Sequence, residues 1–193
     1  MKKLLITGFD PFNGNLENPS WQAVSLLPDT VEDYELNKMQ LPTVYGEAAR
    51  MVIAAAGEWD PDVILCLGLA GGRTAVTPER VGINIRSASI PDNAGQLFTD
   101  APIVQDGPVA YFSTLPVTAM AQAIRNAGLP GAVSNSAGTY VCNDVLYTLL
   151  HHFDGTDTKI CFIHVPYLPG QGEPNMALAD TVRALQAAIS AMD

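Results

Sequence analysis

The chain has 193 residues, 48% of them hydrophobic, which is enough for a compact domain with a buried core and excludes a disordered chain. Its formal net charge of -10 argues against nucleic acid or an anionic membrane surface as a partner, because both are negatively charged themselves. No apolar stretch approaches the roughly 20 residues that a membrane-spanning helix needs.

Short apolar runs alternate along the chain with amphipathic ones. In chain order the pattern predicts a strand at 3–7, a helix at 19–27, a strand at 34–41, a helix capped by Thr43, and strands at 62–67 and 81–85. After these it predicts a helix at 116–127, a short strand at 131–134, a helix at 140–152, a strand at 159–164 and a helix at 174–192. Apolar strands separated by helices are typical of a largely parallel sheet covered on both faces. With no repeat or linker in the pattern, we expect one α/β catalytic domain over residues 1–193.

The cellular compartment is indicated by the N-terminus and the cysteines. The first apolar run ends at Gly8, too early for the apolar core of a signal peptide. Three cysteines are an odd number, and their spacing fits neither a disulfide framework nor a zinc site. These features predict a reducing, cytoplasmic location.

Cys142 stands where small residues, 136–139, give way to the helix at 140–152. A thiol in the first turn of a helix faces free backbone N–H groups and the positive end of the helix dipole, which favours the nucleophilic thiolate. Cys66 and Cys161 instead lie within apolar strands and are expected to be inert core residues. A lone cysteine at a helix start is more often structural than catalytic, so Cys142 needs partners to be a convincing nucleophile.

Two residues are candidate partners. His164 ends an apolar strand, at the edge of a parallel sheet where sites gather, and can accept the thiol proton and return one to a leaving amine. Glu79 is a candidate carboxylate to orient the imidazole. Each has an ordinary alternative, since His164 fits a structural histidine at the rim and Glu79 fits a surface ion pair with Arg80. Only the three residues together favour cysteine catalysis.

Two loops are candidate binding surfaces. Phe9 and Phe12 flank a proline turn after the first strand, where they form either a loop anchor or an apolar slot for a small flat ring. The glycine-rich loop 68–72 lacks the dinucleotide and phosphate-loop fingerprints, so we interpret it as backbone that a substrate can approach closely.

Five segments, taken together and in order, resemble the pyroglutamyl peptidase I family of cysteine peptidases. They are residues 7–12 with 18–20, 78–84, 90–93, 136–143 and 162–167. The resemblance implies a three-layer α/β/α sandwich with a mostly parallel, mixed and twisted sheet. It also implies that the enzyme removes an N-terminal pyroglutamyl residue from small peptides through a thioacyl intermediate, needs no metal or cofactor, and forms a homotetramer or dimer.

The resemblance also assigns roles to residues. It implies Cys142 as nucleophile, His164 as general base and acid, and Glu79 as the residue that orients the imidazole. The residues expected to line the pyroglutamyl pocket are Phe9, Phe12, Val141 and Leu69.

Two positions depart from the family pattern. Leu69 stands where the family often has glutamine, which removes a polar side chain from the expected ring pocket. Ser89 stands where the family commonly has arginine, unless Arg86 replaces it from three residues earlier. These departures keep two alternatives open. One is an amidase or acyl-transfer enzyme of the same fold acting on another small acyl or lactam group, and the other is a catalytically degenerate protein that binds pyroglutamyl peptides.

Overall fold

The computed structural model describes every residue from Met1 to Asp193. The strands are β1 (Lys2–Phe9), β2 (Thr30–Val31), β3 (Tyr34–Leu41), β4 (Val63–Leu69), β5 (Thr77–Pro78), β6 (Val81–Ile83), β7 (Ala110–Phe112) and β8 (Lys159–Val165). The helices are α1 (Pro19–Leu26), α2 (Glu47–Trp59), α3 (Val117–Asn126), α4 (Val141–His152) and α5 (Leu178–Ile189).

Six strands form the main sheet in the order β2–β3–β1–β4–β8–β5, and β6 and β7 pair with each other separately. The four central strands run parallel, whereas β2 and β5 at the two edges are antiparallel to their neighbours. Strands β4 and β8 are almost entirely apolar because both of their faces are buried, whereas β3, nearer the edge, keeps polar side chains. The sheet is therefore mixed and mostly parallel, as expected.

Helices cover both faces of this sheet and create two cores. The first core lies between the sheet and α1, α3 and α5, and the second lies between the sheet and α2 and α4. This arrangement confirms the predicted three-layer α/β/α sandwich. None of the five helices combines the length and apolar character that crossing a bilayer requires.

The structure corrects several predicted boundaries. Helix α2 begins after Gly46, and Thr43 is not its cap, because the Thr43 hydroxyl donates to the carboxylate of Asp10 at 2.8 Å. Residues 131–134 make only isolated bridges instead of a strand. Helix α5 starts four residues later than predicted, at Leu178. None of these differences moves the carboxyl ends of the central strands, where a site is expected.

The chain leaves the sandwich over residues 84–109, between β6 and β7, in a long excursion with almost no regular structure. Polar side chains hold it in place. The Asn84 side-chain oxygen accepts hydrogen bonds from two backbone N–H groups further along the excursion. The Asp92 carboxylate accepts from the backbone N–H of Tyr45, near the start of α2. The excursion is thereby fastened both to itself and to the sandwich.

Candidate active site

A cavity of about 360 Å³ opens at the carboxyl ends of β1, β4 and β8. Its walls come from the loops after β1 and β4 and from the segment that leads into α4. Cys142 and His164 both line it, although they lie on different elements. Phe9, Phe12 and Leu69 line it as well. Five of the residues predicted for the site thus border one space.

Cys142 is the second residue of α4, and so it lies in the first turn of the helix, as the sequence predicts. The residue before the helix, Tyr140, makes no side-chain hydrogen bond to the first turn. The backbone N–H groups of that turn therefore have no capping side chain and can donate to an anion beside the sulfur.

The two residues after the cysteine fix the start of α4. The Asn143 amide donates to the carbonyl of Ile83 and accepts from its backbone N–H, which ties the helix to β6. The buried Asp144 accepts from the backbone N–H of Gly46 and pairs with Arg86. Neither anchor was identified from the sequence, although an Asn-Asp pair beside a candidate nucleophile is a usable signal. Since Arg86 pairs with Asp144 and does not line the cavity, it does not replace the family's arginine there.

Gly68 explains how the sulfur comes so close to the sheet. It pairs in register with His164 on the neighbouring strand. A Cβ atom added to Gly68 would lie 2.7 Å from the Cys142 sulfur and 2.9 Å from the Phe162 ring. The sulfur therefore sits against the end of β4, one strand away from His164, and adjacent strands are about 4.8 Å apart.

We expect Gly68→Ala to reduce activity by about a hundredfold or more, because the new methyl group must displace the sulfur from its position. Overpacking should also lower the free energy of unfolding by about 1–3 kcal/mol. Steady-state kinetics and thermal unfolding measure the two effects. Gly57→Ala adds the same methyl group to α2, where it would meet no atom within 4 Å beyond the adjoining helix backbone, so activity should stay unchanged. Equal activity of the two variants would contradict this account of the packing.

His164 and Glu79 form a buried hydrogen-bonded pair. The His164 side chain is 4% exposed and that of Glu79 is 0% exposed, and Nδ1 of the ring lies 2.7 Å from Oε1 of the carboxylate. Because a carboxylate only accepts, Nδ1 carries the proton and Nε2 keeps its lone pair. Glu79 is thus no surface partner of Arg80, and the imidazole has the tautomer that a general base needs.

Charge states in the site are governed by burial. Burial raises the pKa of the half-buried Cys142 thiol to about 12, the negative charge of Glu79 acts in the same direction, and Arg73 opposes both. Burial also lowers the pKa of His164, with Glu79 opposing it. Thiol and imidazole are therefore both neutral near pH 7. For the thiol this is opposite to the direction predicted from the helix N-terminus, because desolvation outweighs the lowering of the pKa by Arg73 and by the backbone N–H of Cys142.

Arg73 completes the polar side of the cavity, and sequence reasoning missed it. Its guanidinium donates to Oε1 of Glu79 at 2.6 Å and to the backbone carbonyl of Ser136 at 3.0 Å. Its only sequence signal is its position directly after the glycine-rich loop 68–72.

The apolar side of the cavity is aromatic. Phe9 is almost fully buried and lies 6.3 Å from Phe162, whereas the Phe12 ring lies 6.0 Å from Tyr140, measured between ring centroids. Tyr140 lines the cavity although it was not predicted to. Val141, which was predicted to line it, instead has its side chain fully buried in the second core. The helix start turns the side chains of these two neighbours in different directions.

The excursion 84–109 holds the aromatic side of the cavity in place through hydrogen bonds. The Tyr140 hydroxyl donates to the carbonyl of Pro91, and the Asn93 amide donates to the carbonyl of Pro11, next to Phe12.

The cavity thus combines an apolar slot with a thiol, an imidazole held by a carboxylate, and free N–H donors. That set of groups is suited to acyl transfer through a covalent intermediate. No group of three or more His, Cys, Asp and Glu side chains is arranged to hold a metal ion.

Comparison with known proteins gives one consistent family. The sequence pattern of the pyroglutamyl peptidase family matches residues 2–193. A pyrrolidone-carboxylate peptidase of Levilactobacillus brevis is 50% identical over 198 residues, covering 98% of this chain and 97% of its relative. One from Escherichia fergusonii is 50% identical over 197 residues, covering 98% and 92%.

Solved structures agree with the sequence comparison. The crystal structure of pyroglutamyl peptidase I from Bacillus amyloliquefaciens superposes with a TM-score of 0.96 at 39% identity, covering 100% of this chain and 97% of the other. Pyrrolidone carboxyl peptidase from Thermococcus litoralis gives a TM-score of 0.93 at 36% identity, covering 100% and 93%.

Proposed function

The chain belongs to the pyroglutamyl peptidase family of cysteine-type hydrolases, and we propose that residues 1–193 form one catalytic domain that removes an N-terminal pyroglutamyl residue from peptides. The observation that supports this function most directly is the shared cavity, which Cys142 and His164 both line and where Nδ1 of His164 lies 2.7 Å from Oε1 of Glu79. Cys142 is the proposed nucleophile, His164 the general base and acid, and Glu79 the residue that orients the imidazole.

Acylation begins with the Cys142 thiol and the His164 imidazole both neutral. As the sulfur attacks the pyroglutamyl carbonyl carbon, its proton passes to Nε2 of His164 and the carbonyl π electrons move to oxygen. The N–H groups at the start of α4 stabilise that oxyanion, and losing one such donor typically costs about a hundredfold or more in rate. When the carbonyl re-forms, the C–N bond breaks and His164 gives its proton to the departing amine. The product is a thioester on Cys142.

Deacylation repeats the sequence with water. His164 removes a proton from water as the oxygen attacks the thioester, and it then returns that proton to the sulfur. Free pyroglutamate leaves, and the thiol is restored. In both halves the imidazole becomes positively charged for a moment, and the buried Glu79 carboxylate stabilises this charge while keeping Nδ1 in place.

The cavity suits a lactam ring because it is largely apolar on one side. A pyroglutamyl residue has no charged N-terminal amine and so needs no acidic side chain to bind one. Phe9 and Phe12, with Tyr140, offer flat apolar surface to the ring. Leu69 adds apolar surface where a polar side chain is common, so backbone groups are left to pair with the ring amide. Val141 does not shape the slot with its side chain, because that side chain is buried in the core.

A panel of anilides tests the proposed function. The enzyme should hydrolyse a pyroglutamyl anilide and leave prolyl and acetyl-alanyl anilides almost untouched, with at least about a hundredfold difference in kcat/KM, because unpaired polar groups in the slot are costly. Iodoacetamide-treated enzyme is the control for turnover by a contaminant. Equal turnover of all three anilides would contradict the assignment.

A second candidate function is an amidase for another small acyl or lactam group. It is favoured by the presence of Leu69 in the cavity wall, because leucine makes the slot less polar than the glutamine that the family often has there. Preference for the acetyl-alanyl substrate in the same panel would support that candidate. A binding protein without activity is less consistent with the structure, since a degenerate site has no need of a buried His164–Glu79 pair.

The remaining expectations concern the setting of the enzyme. We propose that it works in the cytoplasm on small peptides, without nucleic acid or membrane partners, which fits its net charge of -10. We also propose a homotetramer or dimer. Exposed apolar side chains such as Phe112 and Val109 are surfaces available for such contacts.

A further inference from the structure

We propose that Arg73 is a positioning residue for this reaction, holding the Glu79 carboxylate and the segment that precedes the nucleophile in a fixed relation. The proposal rests on the proposed catalytic roles of Cys142, His164 and Glu79. It goes beyond them because it adds a fourth residue that acts through the other three.

The first support is the way in which the Glu79 carboxylate is satisfied. It is completely buried, and its Oε2 atom has no hydrogen-bond partner. Both of its polar contacts therefore fall on Oε1, which accepts from Nδ1 of His164 at 2.7 Å and from Nη1 of Arg73 at 2.6 Å. Arg73 is the only cation that pairs with Glu79, because the His164 ring is neutral at rest.

The second support is the other end of the guanidinium. Nη2 of Arg73 donates to the backbone carbonyl of Ser136, at the beginning of the segment that leads into Cys142. One planar cation thus bridges the carboxylate and the nucleophile's own segment. A guanidinium is suited to this because its donors are held in a rigid plane, whereas a lysine ammonium is a single point charge.

The consequence for catalysis follows from what an unpaired buried carboxylate does. Without its cation, Glu79 either takes up a proton or rotates toward water, and in both cases Nδ1 of His164 loses a fixed acceptor. The imidazole then no longer has the fixed orientation and tautomer that proton transfer from Cys142 requires. Errors of about 1 Å in such positions cost on the order of a hundredfold in rate.

A double-mutant cycle tests this role with Arg73→Met, Glu79→Gln and the combined variant. Arg73→Met should lower kcat for a pyroglutamyl anilide by about 10- to 100-fold, with a smaller change in KM. In the Glu79→Gln background the same change should cost no more than about threefold, because there is no longer a carboxylate to hold. Arg73→Lys should recover part of kcat, since one ammonium can reach Glu79 but cannot also hold Ser136.

Arg80→Met is the matched control. Arg80 is the chain neighbour of Glu79 and is similarly half-buried, but its side chain makes no hydrogen bond or ion pair, so activity should stay within about threefold of the unsubstituted protein. Thermal unfolding of every variant identifies those that fail to fold. The combined variant keeps the test usable if Arg73→Met alone is unstable, because it leaves no buried charge unpaired.

The outcomes separate this inference from the proposed function. If Glu79→Gln retains full activity, the proposed catalytic set fails. If Glu79→Gln is impaired but Arg73→Met is active, or if the two losses multiply in the combined variant, Arg73 does not act through Glu79 and only this inference is overturned.

Discussion

Replacing Cys142 with alanine is expected to reduce turnover of a pyroglutamyl anilide by at least about 10⁴-fold, as for other enzymes that lose their nucleophile. No other thiol can take its place, because Cys66 and Cys161 are buried within strands and do not line the cavity. The fold should remain, since the side chain is half-buried and its loss leaves the neighbouring anchors Asn143 and Asp144 untouched. Anilide kinetics with circular dichroism measures both properties.

Cys161→Ala is the control for this variant. It removes a buried sulfur from β8 in the first core, on the face of the sheet opposite to α4, so it should cost some stability and little activity. Residual turnover by Cys142→Ala within about tenfold of the unsubstituted protein would rule out covalent catalysis by this residue.

Replacing His164 with glutamine is expected to lower kcat by about 10³-fold or more near neutral pH, because general acid–base catalysis contributes on this scale. The lost rate should return in part as the pH rises. Burial raises the pKa of the Cys142 thiol to about 12, so below that value hydroxide produces about tenfold more thiolate for each pH unit. The variant's rate should therefore climb between about pH 7 and pH 9, where the thiolate remains the minor form.

In the unsubstituted enzyme the Cys142 thiol gives its proton to the His164 imidazole, which is already neutral at pH 7. The rate of the unsubstituted enzyme should therefore change much less over this pH range. His152→Gln, at the exposed end of α4, controls for the substitution itself. A pH-independent His164→Gln variant would show that thiol deprotonation is not what the histidine supplies.

The elements that the sequence predicts correctly are those with a strong local pattern. The strands β1, β4 and β8 are uninterrupted apolar runs, and α4 follows a break of small residues, so Cys142 and His164 could be placed at the same sheet edge without coordinates. Short edge elements such as β5 and β7 have too few residues to show a period.

Features that depend on tertiary contacts could not be predicted in this way. Arg73 reaches Glu79 only because the loop between β4 and β5 folds back, and no local pattern encodes that path. The charge state of Cys142 was predicted in the wrong direction because burial is a property of the whole fold, whereas the helix N-terminus is visible locally. Val141 was predicted to line the cavity and Tyr140 lines it instead, because the direction of each side chain at a helix start cannot be derived from the sequence.

The hydrogen bonds from Asn93 and Tyr140 have a consequence for affinity. A loop that becomes ordered only around its ligand subtracts the entropy of that ordering from the binding free energy. Here the aromatic slot is braced by the excursion 84–109 before any peptide arrives, so that loss is incurred once, during folding, and not at each encounter. A single lactam ring makes few contacts, so it gains little binding free energy. A slot that is already formed lets such a small ligand bind without a loop having to close over it.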